Sequence, residues 1–237
     1  MKSILKHHLV YTNIAIFYLI VSFLTRIILL FHPITQSKFS GLEILKIFGF
    51  GLLSDLFIFV FVGAILWLYL LFLSNSKFKK PYGYIILSGF VALLIYILSG
   101  NSILSEYGGV LPEIGIAFVS LKTIFFAALL FTEKYRKQIR LALFSLTIFL
   151  FVLLIIQNAV SEFFFWNEFG VRYNFIAVDY LVYTNAVIGN IMESYPVVPL
   201  FASVGIVSLV STYFIIKKSE SYLNTLPNFI DKLKIWQ

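Results

Sequence analysis

Six apolar runs, at roughly 9–31, 47–73, 82–100, 114–132, 139–161 and 197–216, govern what this chain can fold into. Each approaches or exceeds the roughly 18–20 residues that a helix needs to cross hydrocarbon. A bilayer core offers no water to backbone N–H and C=O groups, so segments of this kind satisfy themselves as helices. A soluble reading would need helices that are apolar all round with almost no surface to wet them. Only 12% of the 237 residues are charged against 60% hydrophobic, and the mean hydropathy is +0.96. The reading is an all-α integral membrane protein. A polytopic domain over 1–216 holds about six transmembrane helices. An external, aromatic-rich interfacial segment at 161–196 interrupts it, and an amphipathic stretch at 217–237 follows it. The first run, after "MKSILKHH", reads as a signal-anchor, since it is long and lacks a small-residue cleavage site.

The basic residues orient these runs. With the N-terminus in the cytoplasm, inner segments hold 13 of the 18 Lys and Arg residues. They cluster at Lys77, Lys79 and Lys80, at Lys134, Arg136, Lys137 and Arg140, and near both termini. Outer segments hold Lys38, Lys46 and Arg172, together with seven of the eleven acids. The positive-inside rule favours this arrangement, with both termini cytoplasmic and 161–196 outside. The net charge of +7 then reflects loop asymmetry, and no nucleic-acid partner is expected.

The stretch "FFFWNEFGVRYNFIAVDYLVYTNAVIGNIMESYPVV", from Phe163 to Val198, is too polar to cross a bilayer comfortably and too aromatic for an ordinary loop. Its Phe, Trp and Tyr side chains suit the headgroup level. If Glu168 to Tyr183 is helical, Glu168 and Arg172 are i, i+4 partners, and Asp179 lies nearly on the same face. Pattern alone also admits an extended form for "VRYNFIAVDYLVYT". In one reading Glu168, Arg172, Asn174 and Asp179 orient a lipid headgroup or dock a partner domain. In the other, the stretch is an interfacial helix with an internal ion pair that holds spans five and six apart.

Two further charges lie within spans. Asp55, in "GFGLLSDLFIF", should face a bundle interior and have a partner, because an ionisable group at membrane depth is costly. Lys122 and Arg26 are candidates for that partner. Ion or proton passage and a structural ion pair are both consistent with the pattern. Lys122 sits near the middle of the fourth run, so a re-entrant or interfacial segment is an alternative there. Arg26 can snorkel from the end of the first run. No catalytic set is visible. There is no cysteine; His7, His8 and His32 cannot share one metal site; and no Walker, dinucleotide or zinc-helix motif occurs. The terminal "KKSESYLNTLPNFIDKLKIWQ" suits either a helix on the anionic cytoplasmic face or a connector.

The stretch from Phe165 and Trp166 through Glu168–Tyr180 to Glu193–Pro196 resembles the membrane domain of sulfatase-like phosphoglycerol transferases, the lipoteichoic-acid-synthase-like family. Gly51 and Asp55 of "GLLSD" match that family's Gly-x-x-x-Asp. The match covers about 30 residues, and the rest of the chain is similar only generically. The resemblance implies an enzyme of the bacterial cytoplasmic (inner) membrane, belonging to the cell envelope. Its C-terminal extracytoplasmic catalytic domain would carry a nucleophilic Thr and a divalent metal. That domain is absent here, so this chain is expected to hold no catalytic residue and no cofactor of its own. A seventh span would be needed to deliver the domain outside. The expected role is membrane anchor and lipid-presenting platform, with phosphatidylglycerol-like lipids and the catalytic domain as partners. Spans three and four look like an added hairpin relative to the family arrangement. The alternatives are a stand-alone small transporter or channel, with Asp55 and Lys122 lining a path, and a non-catalytic membrane scaffold.

Overall fold

The computed structural model describes residues 2–35, 38–73, 76–107, 110–173, 192 and 195–224. The helices are α1 (Lys2–Leu30), α2 (Gly41–Phe72), α3 (Tyr82–Leu98), α4 (Ile103–Tyr107), α5 (Leu111–Phe131), α6 (Arg136–Phe169) and α7 (Val197–Asn224). A short 3-10 turn covers Ser76–Phe78, and no strand occurs among the described residues. Six helical segments are long and apolar enough to cross a membrane, which makes this a multi-pass membrane protein. The fourth, Leu111–Phe131, is a continuous 21-residue helix.

Several helices run past the apolar runs that announce them. The α2 helix begins at Gly41 rather than near 47, because Ser40 and Glu43 form a capping box. The Glu43 carboxylate accepts from the Ser40 N–H at 2.7 Å, and the Glu43 N–H donates back to Ser40 Oγ at 3.4 Å. The α6 helix covers 34 residues rather than 139–161, so nine residues of the expected 161–196 segment belong to it. At 1.5 Å per residue it is about 51 Å long, well beyond a hydrocarbon core of roughly 30 Å. Gly170 ends it. Its φ of +65° suits glycine, and its N–H donates to the Trp166 carbonyl at 2.8 Å.

The described residues form two compact units, 2–70 with 145–224, and 71–144. In the first, α1 packs on α7 and, through aromatic side chains, on α2. The Tyr11 and Tyr18 rings lie 5.3 and 5.5 Å from Phe59, and Phe23 lies 5.1 Å from Phe48. In the second, α3 packs on α5 around Phe78, Phe126, Leu129 and Leu130. Gly83 permits this approach, since a Cβ there would come within 2.5 Å of Leu130 Cδ1.

The polarity is inverted relative to a soluble bundle. Phe57, Phe61, Ile95, Phe118, Phe201 and Phe214 face outward, while Arg26, Asp55, Glu162, Ser208 and Thr212 are buried. Outward apolar faces match lipid, and inward small or polar groups let helices approach and hydrogen-bond. Ser208 is fully buried on α7 and donates to the Val204 carbonyl at 2.7 Å. Ser208→Leu is expected to overpack this interior and cost about 1–3 kcal/mol. Val207→Leu, on the exposed face, should stay within about 0.5 kcal/mol. Reversible unfolding in mixed detergent micelles checks both.

Candidate functional site

The polar interior of the first unit starts from Arg26 and Asp55. The Arg26 Nη2 donates to Asp55 Oδ2 at 2.8 Å, and their side chains are 6% and 5% exposed. Of the two candidate partners for Asp55, the structure selects Arg26. Gly51 lies one helical turn before Asp55 on the same face of α2. A Cβ at Gly51 would fall 2.7 Å from Arg26 Nη2, so the glycine leaves the space in which the guanidinium reaches its carboxylate. Gly-x-x-x-Asp thus has a steric and an electrostatic half. Lys122 is not part of this interior. It is exposed on α5, with its ammonium 5.5 Å from the Phe118 ring. The expectation of a second buried charge there is corrected: Lys122 lies on the outward face of α5 with the exposed Phe118, Leu121 and Phe125.

A second ion pair stands at the C-terminal end of α6. Arg172 chelates Glu162, with Nε on Oε1 and Nη2 on Oε2 at 3.1 Å. The Glu162 side chain is 7% exposed and that of Arg172 is 43% exposed. This replaces the expected i, i+4 pairing of Glu168 with Arg172. The helix stops at Phe169, and the left-handed turn at Gly170 folds Arg172 back along α6 toward Glu162. Glu168 is exposed and accepts the Tyr195 hydroxyl at 2.9 Å, which also accepts from Asn167 Nδ2 at 3.3 Å. Asn174 and Asp179 lie outside the described residues, as does most of the expected 168–183 helix.

The two pairs share one electrostatic neighbourhood. Tyr18 on α1 is within the fields of Asp55, Arg172, Glu162 and Arg26. Arg172 in turn feels Asp55 and Tyr18. Its proton is held more tightly than usual, first through the hydrogen bond to Glu162 and against the effect of burial. Around this end lies an aromatic shelf. Trp166 Nε1 donates to Thr35 Oγ1 at 3.2 Å, and Thr35 donates to the Leu29 carbonyl at 2.7 Å. The His32 ring meets Phe163 edge-on at 5.2 Å, and Phe164 meets Tyr195 at 4.5 Å. Phe165 contacts both Phe169 and Tyr173. Burial raises the Tyr173 hydroxyl above the usual phenol range. Burial, then the hydrogen bond to the Glu168 carboxylate, does the same for Tyr195.

Glu162 and Tyr18 are the functional candidates that sequence reasoning passes over. The signal for Glu162 was present: an acid within a helix that runs on to a stop glycine, followed closely by an arginine. Among the described residues, no group of three or more His, Asp or Glu side chains could hold a metal ion. No protein-family model matches the chain, and no curated protein or solved structure matches it either.

Removing one partner of a buried ion pair leaves an uncompensated charge, which costs about 3–5 kcal/mol. Asp55→Ala is therefore expected to destabilise the protein by that amount. Gly51→Leu should act in the same direction by displacing Arg26. The paired replacement Arg26→Met with Asp55→Leu should recover most of the loss. Unfolding free energies of these three variants and the wild type in detergent check the pattern.

Proposed function

We propose that this chain is the membrane part of a lipid-headgroup transferase of the lipoteichoic-acid-synthase-like class. It anchors an extracytoplasmic catalytic domain and presents lipid at the outer face of the bacterial cytoplasmic membrane. The observation that carries the reading joins the two stretches behind the family resemblance. Asp55, from Gly-x-x-x-Asp on α2, and Arg172, more than a hundred residues later, lie within one electrostatic neighbourhood in one unit. Residues 71–144, which contain the expected extra hairpin, pack as a unit of their own. This supports the idea of an added module on a four-span core.

Arg172 is the residue suited to a headgroup. Two of its five N–H groups go to Glu162, which fixes the guanidinium plane. With 43% of the side chain exposed, its outer edge can meet a lipid phosphate, for which a planar donor fork is well matched. The aromatic shelf holds the surrounding backbone at headgroup level, and both termini lie in the cytoplasm by the distribution of Lys and Arg. Phosphatidylglycerol-like lipids and the catalytic domain are the partners. That domain would bring the nucleophilic Thr and the divalent metal, and transfer through a phospho-threonine is its chemistry.

The coding sequence beyond the Gln237 codon is expected to encode a seventh span and a domain with a Thr nucleophile and Asp/His/Glu metal ligands. In that full-length protein, Arg172→Ala should lower diacylglycerol release from phosphatidylglycerol about tenfold, the scale of one lost charge-assisted hydrogen bond. Because Arg172→Ala alone also leaves the buried Glu162 carboxylate unpaired, the double variant Arg172→Ala with Glu162→Gln, which removes that charge, should show the same loss at wild-type expression. Release at the wild-type rate, or a coding sequence without such a domain, would count against the transferase reading and favour a scaffold.

A further inference from the structure

The turns that bound the second unit carry a concentration of positive charge. Lys77, Lys79 and Lys80 precede α3, while Lys134, Arg136, Lys137 and Arg140 open α6. Glu133 is the acid in these two segments. Most of these cations need no special account. Lys79, Lys80, Lys134 and Lys137 are exposed, as charges at the ends of spans commonly are.

Three others turn inward around one ring. Phe78 is buried at 6% exposure. Lys77 Nζ lies 5.4 Å from its centroid, Arg136 Cζ 5.4 Å and Arg140 Cζ 5.7 Å. Arg140 is 8% exposed and Lys77 is half-buried. Arg136 is fixed by donating to the Leu129 and Leu130 carbonyls at 2.6 and 2.9 Å, at the end of α5. It also meets the exposed Glu133 carboxylate at 3.6 Å. Burial, then the fields of Arg140 and Lys122, lowers the Lys77 ammonium to about 8. Like charges held together away from water repel, and a ring face offsets only part of that. The α3 residues packed against the core cluster that includes Phe78, namely Ile86, Leu87 and Phe90, bring no charge. An anion is the group that this arrangement favours. Because the cluster sits where α2 ends and α3 begins, and where α5 gives way to α6, it lies at headgroup depth.

We infer that Lys77, Arg136 and Arg140, gathered on Phe78, bind the phosphate of an anionic phospholipid at the Lys-rich face of the second unit. The fork of two guanidiniums and one ammonium suits a phosphodiester. The exposed apolar side chains nearby on α3 and α5, such as Tyr82, Ile85 and Phe131, would lie along the lipid's glycerol and acyl portion. This proposal does not depend on the transferase reading.

The test uses the whole chain in phosphatidylcholine nanodiscs, with and without phosphatidylglycerol. Lipid retention is read by native mass spectrometry. Lys77→Met should lower phosphatidylglycerol retention by about tenfold, whereas exposed Lys79→Gln and Lys137→Gln should change it at most a few-fold. Equal losses in all three variants, or no preference for the anionic lipid in the wild type, would overturn the site. Dimethyl-lysine NMR on the wild type tests it without relying on a variant that folds. In phosphatidylcholine, Lys77 should titrate near 8; phosphatidylglycerol should move that midpoint upward relative to the exposed lysines. Retention should accordingly fall once the pH passes the lipid-bound midpoint, as the ammonium loses its proton. An unmoved midpoint would contradict the assignment. The same upward movement produced by inorganic phosphate in pure phosphatidylcholine would overturn the lipid as the source of the anion.

Discussion

The buried contact between Arg26 and Asp55 is the constraint on which the first unit depends. Neither charge is tolerable alone at membrane depth, so α1 and α2 must pack with these two residues in register. Gly51 makes the approach possible, and Phe59, seated against Tyr11 and Tyr18, continues the same interface one turn beyond Asp55. Once α1 is placed on α2, Tyr18 stands beside a second pair, Glu162 and Arg172, contributed by α6 and the turn after it. The polar interior is thus a chain of compensated charges. A compensated Asp55 fits a structural and orienting role better than it fits a path for ions.

The two units solve the same problem by different means. The first buries opposite charges in pairs, which cancel within the protein. The second gathers like charges around Phe78 at the end of α5, where the guanidinium of Arg136 satisfies helix carbonyls that would otherwise lack partners. This difference separates a network of opposite charges from a gathering of like ones.

Much of this architecture was legible in the residues. Six apolar runs that approach or exceed the length of a membrane span leave little choice of secondary structure, and Asp55 in mid-span demands a partner. What pattern could not supply was geometry beyond one helix. The i, i+4 rule pairs Glu168 with Arg172 only if the helix continues, and Gly170 stops it. The true partner, Glu162, is ten residues away, reached by a chain reversal that no helical periodicity encodes. Helices also reach beyond their apolar runs, to Gly41 and Phe169, because apolar counting stops at the first polar residues while backbone hydrogen bonding does not. Lys122 shows the converse error. Its mid-span place suggests burial, but it shares the outward face of α5 with Phe118, Leu121 and Phe125.

The claim that the Arg172 guanidinium, held by Glu162, faces a lipid headgroup is open to direct measurement. Solid-state NMR dephasing between arginine side-chain nitrogens and lipid phosphorus, with Arg172 resolved by difference against Arg172→Lys, reads that contact in phosphatidylglycerol-containing bilayers. Strong dephasing at Arg172, lost when the carboxylate is removed in Glu162→Gln, is the result predicted here. An Arg172 signal untouched by phosphorus, with its Glu162 contact intact, would mean that the pair only holds helix ends together and that lipid is met elsewhere.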